Sequence, residues 1–161
     1  MIDQGDVRQP AHELYQQIYK ELKINPRTIQ WYATEGYIPK PEKIGAEAFY
    51  SESVQLLTRV RVIQMLQKRY ELKLKEIRQI VEKQAKSDWE CVYNLLVALE
   101  EQFPLNATDD YGFEYITDKG SALAKNVCEQ LKKHTVENIH LEDEEAVYDE
   151  ARSSHTEEFL L

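Results

Sequence analysis

The chain has 161 residues, two cysteines and a net charge of −9. That length allows one medium domain or two small ones. Cys91 and Cys128 lie too far apart in sequence to suggest a disulfide framework or a zinc ribbon. The start, Met1-Ile2-Asp3-Gln4-Gly5-Asp6, lacks the basic and apolar regions of a signal peptide, and the longest apolar stretch, near Cys91 to Leu99, is broken by Asn94. That stretch is too short to span a bilayer, so a cytoplasmic protein with no membrane association is expected.

The charge is unevenly spread. Residues 1–86 carry 15 basic and 11 acidic side chains, net +4, whereas residues 87–161 carry 5 and 18, net −13. Only the first part suits a phosphate backbone.

Taken in order, residues 1–11 read as a loose polar arm. Leu14, Ile18 and Leu22 then recur every fourth position, with Tyr15 and Tyr19 beside them, which predicts an amphipathic helix over His12–Leu22. Lys23-Ile24-Asn25 breaks it. Asn25 is a good N-cap and Pro26 suits the first helical position, so a second helix starts here, runs to about Glu35 and stops at Gly36. Two short helices around a three-residue turn make a helix-turn-helix candidate. On the second, Ile29, Tyr32 and Ala33 share an inward face. Arg27, Thr28, Gln30, Trp31 and Thr34 fall on or near the opposite one, where a cation, hydroxyls and an amide can meet base edges and phosphates. The competing reading makes core aromatics of Trp31 and Tyr32.

Gly36 to Tyr50, with Pro39, Pro41, Gly45, Lys40 and Lys43, reads as strand, basic loop and return strand. A third helix opens at Ser51-Glu52 and a fourth at about Leu74. Asp88 to Phe103 is a further helix, with Trp89, Val92, Leu96, Leu99 and Phe103 forming a stripe that Pro104 ends. Asn106–Gly112 reads as a loop, Phe113–Thr117 as a strand, Gly120–His134 as a helix, and the remainder as an acidic solvated tail.

The run Thr28-Ile29-Gln30-Trp31-Tyr32-Ala33-Thr34-Glu35-Gly36-Tyr37-Ile38-Pro39 resembles the recognition-helix signature of the MerR family of bacterial regulators. Ala48-Phe49-Tyr50-Ser51-Glu52 is similar to that family's wing exit, and Leu74-Lys75-Glu76-Ile77 to its Leu-x-x-Ile fourth helix. Together they span roughly His12 to Lys86. Gln30 stands where the family has arginine and Lys23 where it has the turn glycine. Another family glycine is replaced within Arg69-Tyr70-Glu71, and Glu47-Ala48-Phe49-Tyr50 lacks the wing arginine.

The resemblance implies a mainly α protein: an arm (1–11), a winged helix-turn-helix DNA-binding domain (12–86), a helical dimerisation or effector region (87–135) and an acidic tail (136–161). It implies a sequence-specific transcriptional regulator whose partners are double-stranded DNA, a second copy and RNA polymerase. The residues carried over for DNA are Arg27, Thr28, Gln30, Trp31, Tyr32, Lys40, Lys43 and Arg59. Those for the dimer are Trp89, Val92, Tyr93, Leu96, Leu99 and Phe103, with packing on the Gly120–His134 helix as the alternative use of that stripe. The alternative function is a protein-interaction adaptor, antirepressor or recombination accessory factor on the same scaffold.

No cofactor or metal is expected, since Cys91, Cys128, His134 and His140 form no local ligand group. Tyr111, Phe113, Glu114 and Tyr115 read as a core hairpin, with an aromatic pocket for a cation as the alternative. Tyr115–Gly120 also looks like a second wing-to-helix step, which the acidity of this part opposes. With no phosphate-binding glycine loop, nucleophile elbow or HExxH, no enzyme is expected.

Overall fold

The structure, a computed structural model, describes residues 8–139; most of the arm and the acidic run of the tail lie outside the described residues. The elements run β1 (Gln9–Pro10), α1 (Ala11–Leu22), α2 (Pro26–Thr34), β2 (Glu42–Ile44), β3 (Glu47–Tyr50), α3 (Ser53–Lys68), α4 (Leu74–Lys83), α5 (Trp89–Gln102), β4 (Asn106–Thr108), β5 (Glu114–Ile116) and α6 (Asp118–Lys133), then a 3-10 turn at Val136–Asn138. The fold is mainly helical with two small sheets, in keeping with the expected class.

Local chemistry sets the first two helices. Leu14, Tyr15 and Ile18 bury one face of α1. Asn25 Oδ1 accepts from the Arg27 N–H at 2.8 Å, and Pro26 opens α2 where a missing N–H costs nothing. Lys23 closes α1 in the left-handed region, φ 59°, donating its N–H to Tyr19 O at 2.9 Å. Glu71, ahead of α4, has φ 54°. Both are places where the resembled family carries or neighbours a glycine. A side chain there costs about 1–2 kcal/mol of steric strain, against about 0.5–1 kcal/mol of extra chain entropy for glycine. Lys23→Gly and Glu71→Gly are each expected to raise the chemical-denaturation midpoint, by up to about 1 kcal/mol of stability.

The expected loose arm ends sooner than its polarity suggests. Gln9 and Pro10 pair antiparallel with Tyr50 and Phe49, so β3 is the centre of the sheet β1-β3-β2. Asn106–Thr108, expected as loop, is a strand paired with Glu114–Ile116. The aromatics of that hairpin are not core: Tyr111, Phe113 and Tyr115 are 86%, 70% and 50% exposed. Asp109 Oδ1 instead accepts from the N–H groups of Tyr111 and Phe113, holding the turn from outside.

One core joins both halves of the chain, running from Ala11 through Ile63 and Leu96 to Leu131. Helix α5 packs on α3 in the same sense. Gln55 Nε2 donates to Asp88 Oδ1 at 3.0 Å and Gln55 Oε1 accepts from Trp89 N at 2.8 Å at one end, while Arg69 and Glu100 pair at 2.6 Å at the other. The α5 stripe, expected at a dimer contact or on another helix of the same chain, packs here on α3. Trp89, Val92, Leu96 and Leu99 are buried within a single chain, and α3 is what covers them. Only Tyr93 and Phe103 of the six stay partly exposed, Tyr93 under the Arg61 guanidinium.

Helix α6 packs on α4. The link is Gln84, fully buried at the end of α4. Its Nε2 donates to the carbonyls of Leu131 at 3.0 Å and His134 at 2.6 Å, and its Oε1 accepts from Ser87 Oγ at 2.7 Å and Val136 N at 3.2 Å. Two donors and two acceptor sites are all that an amide has, and all four are filled. Gly120, in the first turn of α6, lies against the Leu105 backbone so closely that a Cβ would stand 2.6 Å from Leu105 Cα.

Candidate nucleic-acid interface

The outer side of α2 is polar and open. Arg27, Thr28, Gln30, Trp31 and Thr34 are all exposed, while Ile29, Tyr32 and Ala33 face the core. Thr34 Oγ1 turns back onto Gln30 O at 3.0 Å, a bond that occupies the hydroxyl proton. Trp31 is 41% exposed and is not free to swing: its ring stacks on Tyr37 at 5.5 Å and 28° and leans on Tyr32 at 5.9 Å. The rest of the ring stays exposed, next in sequence to the exposed Gln30.

The end of α2 is clamped from behind. Arg78 of α4 donates from Nη1 to Glu35 O at 2.7 Å, sets its other terminal nitrogen 3.7 Å from the Glu35 carboxylate and lies over the Tyr37 ring at 4.7 Å. One guanidinium thus satisfies a helix-end carbonyl and fixes the aromatic under Trp31. Nothing in the local sequence of α2 announces this, because Arg78 lies 43 residues beyond Glu35.

The hairpin β2–β3 carries Lys43 opposite Ala48, and turns through Gly45 at φ 64°. Lys40 and Lys43 are exposed, as are Glu42 and Glu47 on the same hairpin. A cation the sequence reading missed arrives from the other side: Arg8, just ahead of β1, places its guanidinium 5.1 Å over the Phe49 ring. The signal was hidden in two residues of strand pairing.

Two of the residues expected at this surface are elsewhere. Tyr32 is 4% exposed and belongs to the core, where burial, and to a lesser degree Tyr37, raises its hydroxyl pKa. Arg59 is 9% exposed, on the inner side of α3; its Nε donates to Tyr37 O at 2.9 Å and its guanidinium stacks 5.1 Å over the Trp89 ring. Burial pulls its pKa down to about 10. An arginine on an amphipathic helix reads as surface charge; the groups that meet it, Tyr37 O and the Trp89 ring, lie 22 and 30 residues away.

Residues 16–84 match the family model described as MerR HTH family regulatory protein. This segment is a MerR-type helix-turn-helix domain. The match runs from within α1 to the residue after α4 and includes the two positive-φ positions Lys23 and Glu71. At the level of the family, the MerR-type domain is that of a DNA-binding transcriptional regulator. No curated protein and no solved structure matches the chain. Beyond the MerR-type domain, Cys91 is exposed and Cys128 buried. Burial, aided by the Glu76 carboxylate 3.4 Å away, pushes the Cys128 thiol up to about 12. Among the described residues no group of three or more His, Cys, Asp or Glu could hold a metal ion, and no helix is long and apolar enough to cross a membrane.

Proposed function

We propose that the chain is a sequence-specific transcriptional regulator that lays α2 in the major groove, with Arg27, Thr28, Gln30 and Trp31 toward base edges and phosphates. The hairpin lysines Lys40 and Lys43, with Arg8, lie along the phosphate backbone. The observation that carries this reading is the exposed polar face of α2 inside a MerR-type domain. Gln30 and the edge of Trp31 supply groups that distinguish bases; the cations supply position without base identity. RNA polymerase is the further partner this reading implies.

The regulator is proposed to act as a homodimer. With the α5 stripe used inside the chain, the surface for a second copy shifts to Tyr111, Phe113 and Tyr115 on the β4–β5 hairpin, a cluster too apolar to leave to solvent without a use.

A salt titration tests both parts. Each phosphate contact adds about 0.9 to the logarithmic salt slope on duplex DNA, so Lys43→Ala is expected to lower the slope by about 1.8 in a dimer and about 0.9 in a monomer. Specific and nonspecific sites should weaken alike, and sedimentation checks the assigned stoichiometry. An unchanged slope would take the hairpin off the backbone. The withdrawal of Arg59 and the acids Glu42 and Glu47 on the hairpin favour the adaptor as the second reading; wild type with no salt-dependent binding to any duplex would establish it.

A further inference from the structure

A groove of about 940 Å³ runs between the end of α2, the hairpin β2–β3 and the junction of α4 with α5. One of its lining residues carries a buried donor without an acceptor, and its neighbour carries a charge without an ion pair among the described residues. Trp89, 3% exposed, has a buried indole N–H with no partner. Arg59, 9% exposed, spends its Nε on Tyr37 O, and among the described residues no carboxylate stands within ion-pair distance of its guanidinium. Of the acids that share the groove, Asp88 and Glu35 have other partners, and Glu42, Glu52 and Glu137 are exposed. Asp88 accepts from Gln55 and from Glu90 N, and Glu35 faces Arg78. A buried charge without a counter-charge and a buried donor without an acceptor each cost stability, and they sit side by side, 5.1 Å from guanidinium to ring centre. One planar anion with two acceptor oxygens would answer both, since a guanidinium fork matches a carboxylate.

We infer that the groove is a carboxylate-binding site seated on Arg59 and the Trp89 indole N–H. Two sources can supply that chemistry. One is a diffusible carboxylate. The other is this chain's own run Glu142-Asp143-Glu144-Glu145: Glu137 lines the groove, and Glu142 follows Ile139 by three residues, a reach of about 10 Å. Either way the occupant touches three things at once: Thr34–Gly36 at the end of the reading helix, Lys40 at the hairpin, and the Ala85–Trp89 junction. Occupancy brings negative charge next to the face assigned to DNA, so it lowers DNA affinity; this second half rests on the proposed DNA-binding function, the seat itself does not.

The test follows the two indole N–H resonances of the full-length, ¹⁵N-labelled protein by NMR, with Trp31→Phe identifying that of Trp89. In one arm Glu142, Asp143, Glu144 and Glu145 are changed together to their amides. In the other, sodium benzoate is titrated against sodium chloride at constant ionic strength. If the chain's own run is the source, the amide variant moves the Trp89 resonance and benzoate moves it back. If the source is diffusible, the variant leaves it in place and benzoate shifts it saturably in both proteins. In either case the benzoate response is lost in Arg59→Met, a substitution of similar volume, and weakened in Arg59→Lys, which keeps the charge without the fork. A Trp89 resonance that neither arm moves overturns the site. Duplex affinity is measured separately, with at least a fivefold loss expected on occupancy. A moved resonance with unchanged DNA affinity would overturn the coupling and leave the seat standing, while absence of DNA binding altogether would bear only on the proposed function.

Discussion

Gln84→Leu is expected to unfold the protein about 10 °C earlier than wild type. Leucine fills a similar volume, so the loss is not a cavity. What disappears is an amide that meets two carbonyls at the end of α6 and two donors, Ser87 Oγ and Val136 N. Leaving buried polar groups unpaired costs about 1–3 kcal/mol each. Part of that is recovered where water reaches the His134 carbonyl on the exposed side, so a net loss of about 3–4 kcal/mol is expected. For a chain of this size each kcal/mol moves Tm by about 2–4 °C. Calorimetry of the variant checks it, and a change below about 1 kcal/mol would mean that the amide is replaceable by solvent. The same variant should free α6 from α4 first, so amide exchange over Val127–Leu131 should rise more than over α1.

Gly120→Ala is the second substitution with a large expected effect. Alanine is ordinarily the better helix residue, by about 1 kcal/mol, so propensity alone predicts stabilisation. The geometry reverses the sign. The new methyl would meet the backbone of Leu105, not a flexible side chain, and Leu105 O is already held by Thr117 N at 2.9 Å and Thr117 Oγ1 at 3.3 Å. Thr117 in turn caps α6 through Gly120 N at 2.9 Å. To admit one methyl, the first turn of α6 and the strand entry at Leu105 must separate, breaking the cap. Overpacking of this kind costs about 1–3 kcal/mol, and the lost cap about 1 more. Ser121→Ala, one position along on the exposed side of the helix, serves as the control and is expected to change stability little.

Much of the MerR-type domain was legible from local chemistry. Asn25-Pro26 marks the start of α2 and Gly36 its end, because capping and φ > 0 are properties of single residues. The inward set Ile29, Tyr32 and Ala33 follows from helical period, and the structure buries all three. Where the sequence reading conflicted with itself, by assigning Tyr32 both to the core and to DNA, the periodicity was the sounder guide. What periodicity does not contain is the identity of the covering element. The stripe on α5 announces an apolar face without naming α3 as its cover, and Arg59 looks like surface until Trp89 lies on it. Gln84, Arg78 and Arg8 share that obscurity, since each acts on partners 41 to 50 residues away, Arg8 by way of a two-residue strand. The hairpin aromatics mislead in the opposite sense: Tyr111, Phe113 and Tyr115 have core composition and an outward placement.

The parallel packing of α3 and α5 bears on how such a protein can be divided and recombined. The segment that matches the family ends at residue 84 and the expected boundary lies at residue 86, and core and polar contacts cross both. A fragment cut there would strip Trp89 from Arg59, Asp88 from Gln55, and the last turn of α6 from Gln84. The reading head and the remainder therefore do not behave as interchangeable modules. A chimaera that joins this N-terminal half to a foreign C-terminal half at residue 86 would inherit a hole along α3. Exchange is far better tolerated at the exposed positions of α2 itself, where Thr28, Gln30 and Trp31 could be rewritten while Arg78 and Tyr37 hold the helix in place.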